Sequence, residues 1–222
     1  MPEKNCIALV SGGIDSPVAV ARMVSKGWKI KPIHCSQDPI TGPGPELKTL
    51  ECLRTLKSLE GKIGDGARVL IDDEMIVVPV AEVLSKFTEK WCHTEYFIHM
   101  KRLFNVIADI ASESHTATHV LTGENLGQVS SQTLGNLGAV EKATDLIPLR
   151  PLLGLDKTVI THMSRKLGTF EISSGPEVCD ALGPSMPTTV ANKEWLEKSE
   201  ERLGGLRNLA QEAWAKRRIV TI

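Results

Sequence analysis

Short apolar runs alternate with amphipathic segments along most of the chain, and this alternation predicts the fold. The apolar runs indicate strands at residues 6–10, 28–35, 76–80, 119–122 and 145–149, with a short edge strand at 68–71. Between them, apolar residues recur at helical spacing, which predicts helices from the end of the first strand's turn to about 26 and at about 46–59, 81–90, 95–114, 130–141 and 156–167. Strands separated by helices are typical of an α/β fold, a doubly wound parallel sheet with helices on both faces.

The C-terminal part of the chain has a different pattern. Residues 170–190 show no clear periodicity, and residues 193–216 predict a charged C-terminal helix. We therefore expect a main domain over residues 1–190 and a helical tail over residues 191–222, which packs on that domain or extends from it.

Composition narrows the class of protein. The chain has 222 residues, 41% of them hydrophobic and 4% aromatic, so one mostly aliphatic core is expected. The formal charge of −1 argues against nonspecific binding of nucleic acid through bulk charge. Five cysteines at irregular spacings, without a Cys-x-x-Cys pair, argue against a disulfide framework and a zinc site.

The N-terminal residues and the longest apolar runs indicate the cellular compartment in which the protein is expected. Residues 1–5 lack the basic and apolar regions of a signal peptide. No apolar run approaches the roughly 20 residues that a membrane helix needs. We therefore expect a cytoplasmic protein without a membrane partner.

A glycine turn follows the first predicted strand and leads into a helix. Gly12 and Gly13 allow a sharp turn and a close approach to a ligand, and Asp15 or Ser16 is expected to cap the helix. Free N–H groups at such a turn favour an anion, whereas Asp15 suits a polyphosphate that brings Mg²⁺. The bare turn is equally compatible with an ordinary strand–helix connection. Neither the Walker A pattern nor the dinucleotide-binding glycine pattern is present at this turn.

A second polar string follows a later predicted strand, at residues 122–133. It contains Glu124, Asn125 and Gln128, which would be unfavourable in a core without partners. A glycine loop with a polar helix cap is the plain alternative. Because ligands bind at the carboxyl ends of parallel strands, we expect residues 122–128 to share one rim with residues 11–16, 34–38 and 148–151.

Taken in order, these strings resemble a known family. Residues 11–16 match the Ser-Gly-Gly-x-Asp-Ser pyrophosphate loop of ATP pyrophosphatases, and residues 122–133, 149–157, 168–173 and 176–179 resemble the tRNA 4-thiouridine synthases. Some members of that family serve thiamine thiazole synthesis. The resemblance covers residues of about 4–190 and implies an adenine nucleotide alpha-hydrolase-like fold (PP-loop ATP pyrophosphatase).

The resemblance also implies roles for individual residues. Asp15 would position pyrophosphate and its Mg²⁺, Lys157 would neutralise charge on the leaving pyrophosphate, and Cys179 would carry sulfur as a persulfide or form a disulfide during transfer. A solvated lysine and an inert buried cysteine are the plain alternatives for the last two. No resident metal site is expected. The residues expected to bind ATP are Ser11, Gly12, Gly13, Ser16, His34, Gly123 and Gln128.

Three departures from the family bear on the reaction. Members normally carry an N-terminal RNA-binding region, and many add a C-terminal rhodanese domain, but these 222 residues match neither. Phe97 and Met100 occupy the places where some members have a Cys-x-x-Cys that is implicated in an iron–sulfur cluster. We therefore expect an external sulfur donor, either a protein or sulfide. Whether the protein forms a homo-oligomer is left open.

The resulting hypothesis is an ATP-dependent sulfurtransferase. It would adenylate a carbonyl oxygen, release pyrophosphate and then transfer sulfur, with uridine in tRNA as the leading acceptor, bound through a separate RNA-binding partner if this chain lacks the surface. One alternative is sulfur transfer to a small molecule or carrier protein in thiamine or other cofactor synthesis. Another is an inactive nucleotide-binding subunit.

Overall fold

A six-stranded sheet organises the protein, whose computed structural model describes residues 4–63, 70–175 and 181–222. The described strands are β1 (Asn5–Leu9), β2 (Lys29–Ser36), β3 (Glu74–Pro79), β4 (His119–Leu121), β5 (Ile147–Leu149) and β6 (Arg218–Thr221). The described helices are α1 (Asp15–Val24), α2 (Gly44–Ile63), α3 (Ala81–Lys86), α4 (Tyr96–His115), α5 (Leu134–Glu141), α6 (Lys157–Lys166), α7 (Phe170–Ser173), α8 (Lys193–Arg202) and α9 (Leu206–Ala215). This confirms the predicted α/β class.

The strand order is β5-β4-β1-β2-β3-β6, and the first five of these strands are parallel. Strand β1 pairs with β2 on one side, where Ile7 lies opposite Lys31, and with β4 on the other, where Ile7 lies opposite Val120. The chain therefore winds outward from β1 in both directions. A crevice forms at such a switch point, and it opens at the carboxyl end of β1, where residues 11–16 lie.

Helices cover both faces of the sheet, as the alternation of side chains along each strand requires. Ile7 and Ile33 face one apolar cluster, which α3, α4 and α9 complete. Ala8 and Val10 face the other, which α1, α2 and α6 complete. The doubly wound arrangement predicted from the sequence is therefore confirmed.

The prediction of one continuous C-terminal helix is wrong. Helix α8 ends at Arg202, and Gly204 and Gly205 follow with φ angles of 103° and 89°, which an α-helix does not accommodate. After α9 the chain enters β6, which pairs antiparallel with β3. Residues 191–222 thus contribute a strand to the main sheet, and their division from residues 1–190 as a separate part stays a prediction.

Smaller differences concern the ends of elements. Of the predicted edge strand at 68–71, the first two residues lie outside the described residues, and Ile71 makes an isolated parallel bridge to Ile30. The predicted helix at 130–141 begins as a 3-10 turn, and α5 starts only after Thr133, whose hydroxyl accepts from the N–H of Asn136 (3.2 Å). Within the described ranges, no helix has the length and apolar character to cross a membrane.

Candidate nucleotide-binding site

The glycine loop, residues 11–16, is fixed by hydrogen bonds between its two ends. The hydroxyl of Ser16 accepts from the N–H of Ser11 (2.9 Å) and donates to the carbonyl of Ser11 (3.0 Å). Helix α1 begins at Asp15, and Ile14 occupies the N-cap position without a side-chain hydrogen bond. The predicted cap by Asp15 or Ser16 is therefore wrong, because Ser16 closes the loop instead.

Two glycines permit close backbone contacts around this loop. A Cβ on Gly12 would lie 2.8 Å from the Cβ of Lys48 and 2.8 Å from the carbonyl oxygen of Pro45. A Cβ on Gly123 would lie 2.7 Å from the backbone nitrogen of Ser16, so the loop after β4 touches the start of α1. Gly12 and Gly123, two of the predicted site residues, therefore have a physical requirement for glycine.

Asp15 and Lys157 form an ion pair across the site. The Lys157 Nζ donates to Oδ1 and Oδ2 of Asp15 at 2.7 and 2.8 Å, although the residues are 142 positions apart. Asp15 lies at the start of α1 and Lys157 at the start of α6, and these helices pack together. The side chain of Lys157 stays half exposed, so both charges remain accessible to a ligand.

A cleft of about 1030 Å³ lies over the carboxyl end of β1. Its volume is large enough for a nucleoside triphosphate. It brings together most of the predicted site residues: Ser11, Gly12, Gly13, Asp15, His34, Gln128 and Lys157. Ser16 and Gly123 line an adjoining cavity of about 230 Å³, called here the side chamber.

His34 lies at the cleft but is also held by neighbouring groups. Its Nδ1 is 3.0 Å from the carbonyl oxygen of Val10 and 3.2 Å from the hydroxyl of Thr49. Burial lowers the pKa of His34, so its ring is neutral at pH 7. The histidine therefore joins β1, β2 and α2 at the cleft wall, which fits both a structural role and contact with a nucleotide.

Gln128 has an unsatisfied group at the cleft. Among the described residues its buried Nε2 has no hydrogen-bond partner. An unpaired buried donor costs free energy, and a bound acceptor would remove that cost. This supports, without testing, the prediction that Gln128 contacts the nucleotide.

Four of the five cysteines lie in the described residues, and their burial and thiol pKa values bear on the choice of a nucleophile. Cys179 lies outside the described residues. Burial raises the pKa of Cys6 to about 12 and that of Cys92 to about 11, so both are protonated thiols that pack in the core at neutral pH. Cys52 is fully buried as well, and Cys35 lines the cleft with a pKa that burial also raises. None of these four has the lowered pKa of a nucleophilic cysteine.

A charged network beside the glycine loop was not predicted. Glu124 is 6% exposed and accepts from the Lys101 Nζ and the Arg150 Nε, both at 2.7 Å. Burial alone would raise the pKa of Glu124, but Lys101 and Arg150 outweigh it and lower the pKa to about 2. Thr122 donates to the same carboxylate (3.2 Å). Glu124 and Arg150 lie in two segments that were expected on the same rim, whereas Lys101 comes from α4, which no local pattern links to Glu124.

Phe97 and Met100 both line the cleft. Phe97 packs against Gly183, where a Cβ would meet its ring. In the described ranges, no group of three or more His, Cys, Asp or Glu side chains is placed to hold a metal ion. Mg²⁺ that arrives with phosphates needs only one or two protein carboxylates, and Asp15 at the glycine loop fits that requirement.

The fold and this site define an α/β protein of the PP-loop ATP pyrophosphatase type. Residues 2–204 match the family model described as "Thiamine biosynthesis protein (ThiI)", and the chain belongs to that family. The chain is 33% identical to a probable tRNA sulfurtransferase of Acetivibrio thermocellus over 97% of this chain and 53% of that protein. It is 34% identical to one from Thermotoga maritima, over 97% of this chain and 54% of that protein.

Solved structures agree with this assignment. A 4-thiouridine synthetase in complex with RNA and ATP superposes with a TM-score of 0.88 and 32% identity, covering 99% of this chain and 55% of that one. The NMN synthetase of Francisella tularensis shares the fold, with a TM-score of 0.52 and 16% identity. The chain therefore spans about half the length of the curated relatives it matches.

Proposed function

We propose that this protein is an ATP-dependent sulfurtransferase that adenylates a carbonyl oxygen, releases pyrophosphate and then transfers sulfur to the activated carbon. The observation that carries the proposal is the Asp15–Lys157 ion pair at the glycine loop. It brings one carboxylate and one cation into the same cleft, which supports a role for the first in holding Mg²⁺ and for the second in offsetting phosphate charge. Relatives named as probable tRNA sulfurtransferases and an ATP-bound 4-thiouridine synthetase support it.

Each residue of the cleft would have its own role in adenylation. The backbone of Gly12 and Gly13 and the hydroxyl of Ser11 would cradle the phosphates at the start of α1, and the hydroxyl of Ser16, which donates to the Ser11 carbonyl, would keep the loop in shape for them. Asp15 would hold Mg²⁺, which offsets phosphate charge when bound. Lys157 would then be released from Asp15 to stabilise the charge that develops on the leaving pyrophosphate.

Sulfur transfer would follow in the same cleft. Sulfide, or the terminal sulfur of a persulfide on Cys179, would attack the carbon that bears the adenylated oxygen, and the C–O bond would break with AMP as the leaving group. With a persulfide, the remaining S–S bond must then be reduced by a second thiol. We assign Cys179 this role from its match to the family motif.

The leading acceptor is uridine in tRNA, which would give 4-thiouridine. The relatives and the RNA-bound synthetase support this choice. The family description names thiamine synthesis, which favours a small molecule or carrier protein as the second candidate.

ATP–pyrophosphate exchange tests the adenylation step. We expect exchange that depends on unmodified tRNA, and Asp15→Asn should abolish it because the substitution removes the charge that holds Mg²⁺. Asp145→Asn is the matched control. Asp145 is exposed and lies at the amino end of the edge strand β5, whereas the glycine loop follows the carboxyl end of β1. An absence of exchange with tRNA and with every small acceptor would contradict the proposed function.

A second measurement tests the sulfur step. Cys179→Ser should leave exchange intact and stop formation of thiolated product, as measured by mass spectrometry of digested tRNA. Cys52→Ser serves as the control, because Cys52 is buried beside Ser173 rather than in the cleft. Undiminished thiolation by Cys179→Ser would remove that residue from the mechanism.

A further inference from the structure

The side chamber lies against the glycine loop and is distinct from the main part of the cleft. It lies between α4 and the loop after β4, and it opens into the cleft, so that Ser11, Phe104 and Gln132 are among the residues that line both. Its volume of about 230 Å³ is below the roughly 300 Å³ at which drug-sized ligand pockets begin, so a nucleoside triphosphate does not fit in it. A single planar ring is the size of group that it can hold.

The lining of the chamber excludes phosphate as its ligand. Leu9, Met100, Phe104 and Val140 supply apolar walls. The charged lining residues are Asp15, Lys101 and Glu124, and the one lysine among them is already paired with Glu124 at 2.7 Å. Among the described lining residues no cation is left unpaired to attract an anion, because Lys101 is held by Glu124, whereas apolar walls with an aromatic ring suit a neutral heterocycle.

Two amides in the chamber are oriented by their hydrogen bonds. The side-chain oxygen of Gln132 accepts from the N–H of Asn125 (3.3 Å), which leaves its NH₂ group as a donor. The NH₂ group of Asn105 donates to the carbonyl of Val140 (3.2 Å), which leaves its oxygen as an acceptor. The chamber thus offers one amide donor and one amide acceptor.

This pair complements the edge of a uracil ring. Uracil presents a carbonyl oxygen, which accepts, beside a ring N–H, which donates. Cytosine presents the reverse pattern at the same edge, an amino donor beside a ring nitrogen acceptor, and it would leave both amides mismatched. Enzymes that modify a base read its pairing edge in this way after removing it from the stack.

We propose that the side chamber binds the pyrimidine ring that is to be thiolated, with Gln132 donating to its carbonyl oxygen and Asn105 accepting from its ring N–H. The proposal rests on the proposed function, because the carbonyl oxygen would then lie beside the loop that holds the phosphates. Phe104 supplies an aromatic face for the ring, and Lys101, held by Glu124, lies at the wall that the chamber shares with the cleft.

Direct binding tests the chamber without any turnover. Uridine and cytidine are titrated separately into the protein saturated with a nonhydrolysable ATP analogue, and binding is followed by ligand-observed NMR. We expect uridine to bind more tightly than cytidine, and Gln132→Leu to weaken uridine binding about tenfold because a hydrogen-bond donor is lost. Gln132→Glu keeps an oxygen for Asn125, removes the donor and should have at least the same effect. Gln211→Leu, at an exposed position on α9, is the matched control.

Affinity for ATP separates this proposal from the alternative that Gln132 contacts the nucleotide instead of the pyrimidine ring. Gln132→Leu should leave the Kd for ATP unchanged and, in tRNA-dependent exchange, raise the KM for tRNA rather than lower kcat. Equal binding of uridine and cytidine by the wild type, or a loss of ATP affinity in Gln132→Leu with uridine binding intact, would overturn the chamber assignment. A uridine preference in the absence of any exchange would instead support the chamber and contradict the proposed function.

Discussion

At the scale of single residues, Glu124 shows how a buried charge is stabilised. Its carboxylate is held by Lys101 and Arg150, and the folded protein lowers its pKa to about 2 from 4.5. A lowered carboxyl pKa stabilises the fold above the ordinary value, and that stability is lost as the pH falls toward the folded value. Glu124 therefore contributes about 3 kcal/mol at pH 7, and this contribution declines between about pH 5 and pH 2.

Glu124→Gln tests this contribution. We expect the variant to have a lower free energy of unfolding at pH 7, because two cations lose their partner, and a shallower decline than the wild type between pH 5 and pH 3. Urea unfolding at a series of pH values measures both. Glu113→Gln is the control, because Glu113 is two-thirds exposed and its pair with Arg207 contributes little. Parallel pH profiles for wild type and Glu124→Gln would contradict this account.

The same residue marks how far the sequence predicts the site. Asp15, Lys157 and the glycines lie in ordered strings that could be recognised, and the structure brings them into one cleft. Arg150 lies in a segment that was expected on the same rim as Glu124, but Lys101 comes from α4, and its proximity depends on tertiary packing alone. Cys179 stays a prediction from sequence.

At the scale of elements, the contact between the loop after β4 and the start of α1 holds the glycine loop in place. A Cβ on Gly123 would meet backbone atoms of Asp15 and Ser16 at 2.7–2.9 Å, and backbone cannot rotate away as a side chain can. Gly123→Ala should therefore displace the loop, lower stability by about 1–3 kcal/mol and weaken ATP binding. Calorimetric titration with ATP and thermal unfolding measure the two effects.

Gly138→Ala is the matched control for this contact. Gly138 lies inside α5, where an added Cβ meets nothing within 4 Å. Alanine should stabilise the helix by up to about 1 kcal/mol and leave ATP binding unchanged. If Gly123→Ala binds ATP as tightly as Gly138→Ala does, the loop does not depend on this contact.

Element prediction succeeds where hydrophobic burial is local and fails where it is not. Strands β1 to β4 have apolar runs that can be seen in the sequence, because helices cover them on both faces. Strand β6 has four residues, three of them exposed, and is defined by its pairing with β3. A short segment with that burial pattern carries no periodic signal, so the sequence predicts no strand after residue 216.

At the scale of the whole molecule, β6 completes the sheet at an edge that would otherwise be open. It pairs with β3 from Glu74 opposite Thr221 to Val77 opposite Arg218. Arg54 donates to the carbonyl of Thr221 (3.3 Å), and Arg218 forms an ion pair with Glu46, so α2 also holds this strand. The C-terminal residues therefore tie α2 and β3 together on the side of the sheet away from β5.

Deleting residues 218–222 should expose the edge of β3. An unpaired, apolar edge strand is a template for association with another chain. We expect the truncated protein to melt at a temperature several degrees lower and to form dimers or larger species as its concentration rises, because Val77 and its neighbours lose their backbone partners. Thermal unfolding and light scattering over a concentration series measure these changes.

A point variant separates loss of pairing from loss of apolar surface. Ile219 is 60% exposed, so Ile219→Thr removes apolar surface while threonine keeps the preference for a strand. This variant should melt close to the wild-type temperature and stay monomeric wherever the wild type does, whereas the deletion should not. If the deletion also matches the wild type in both measurements, β6 does not protect the edge, and β3 must be shielded by its own side chains and the helices around it.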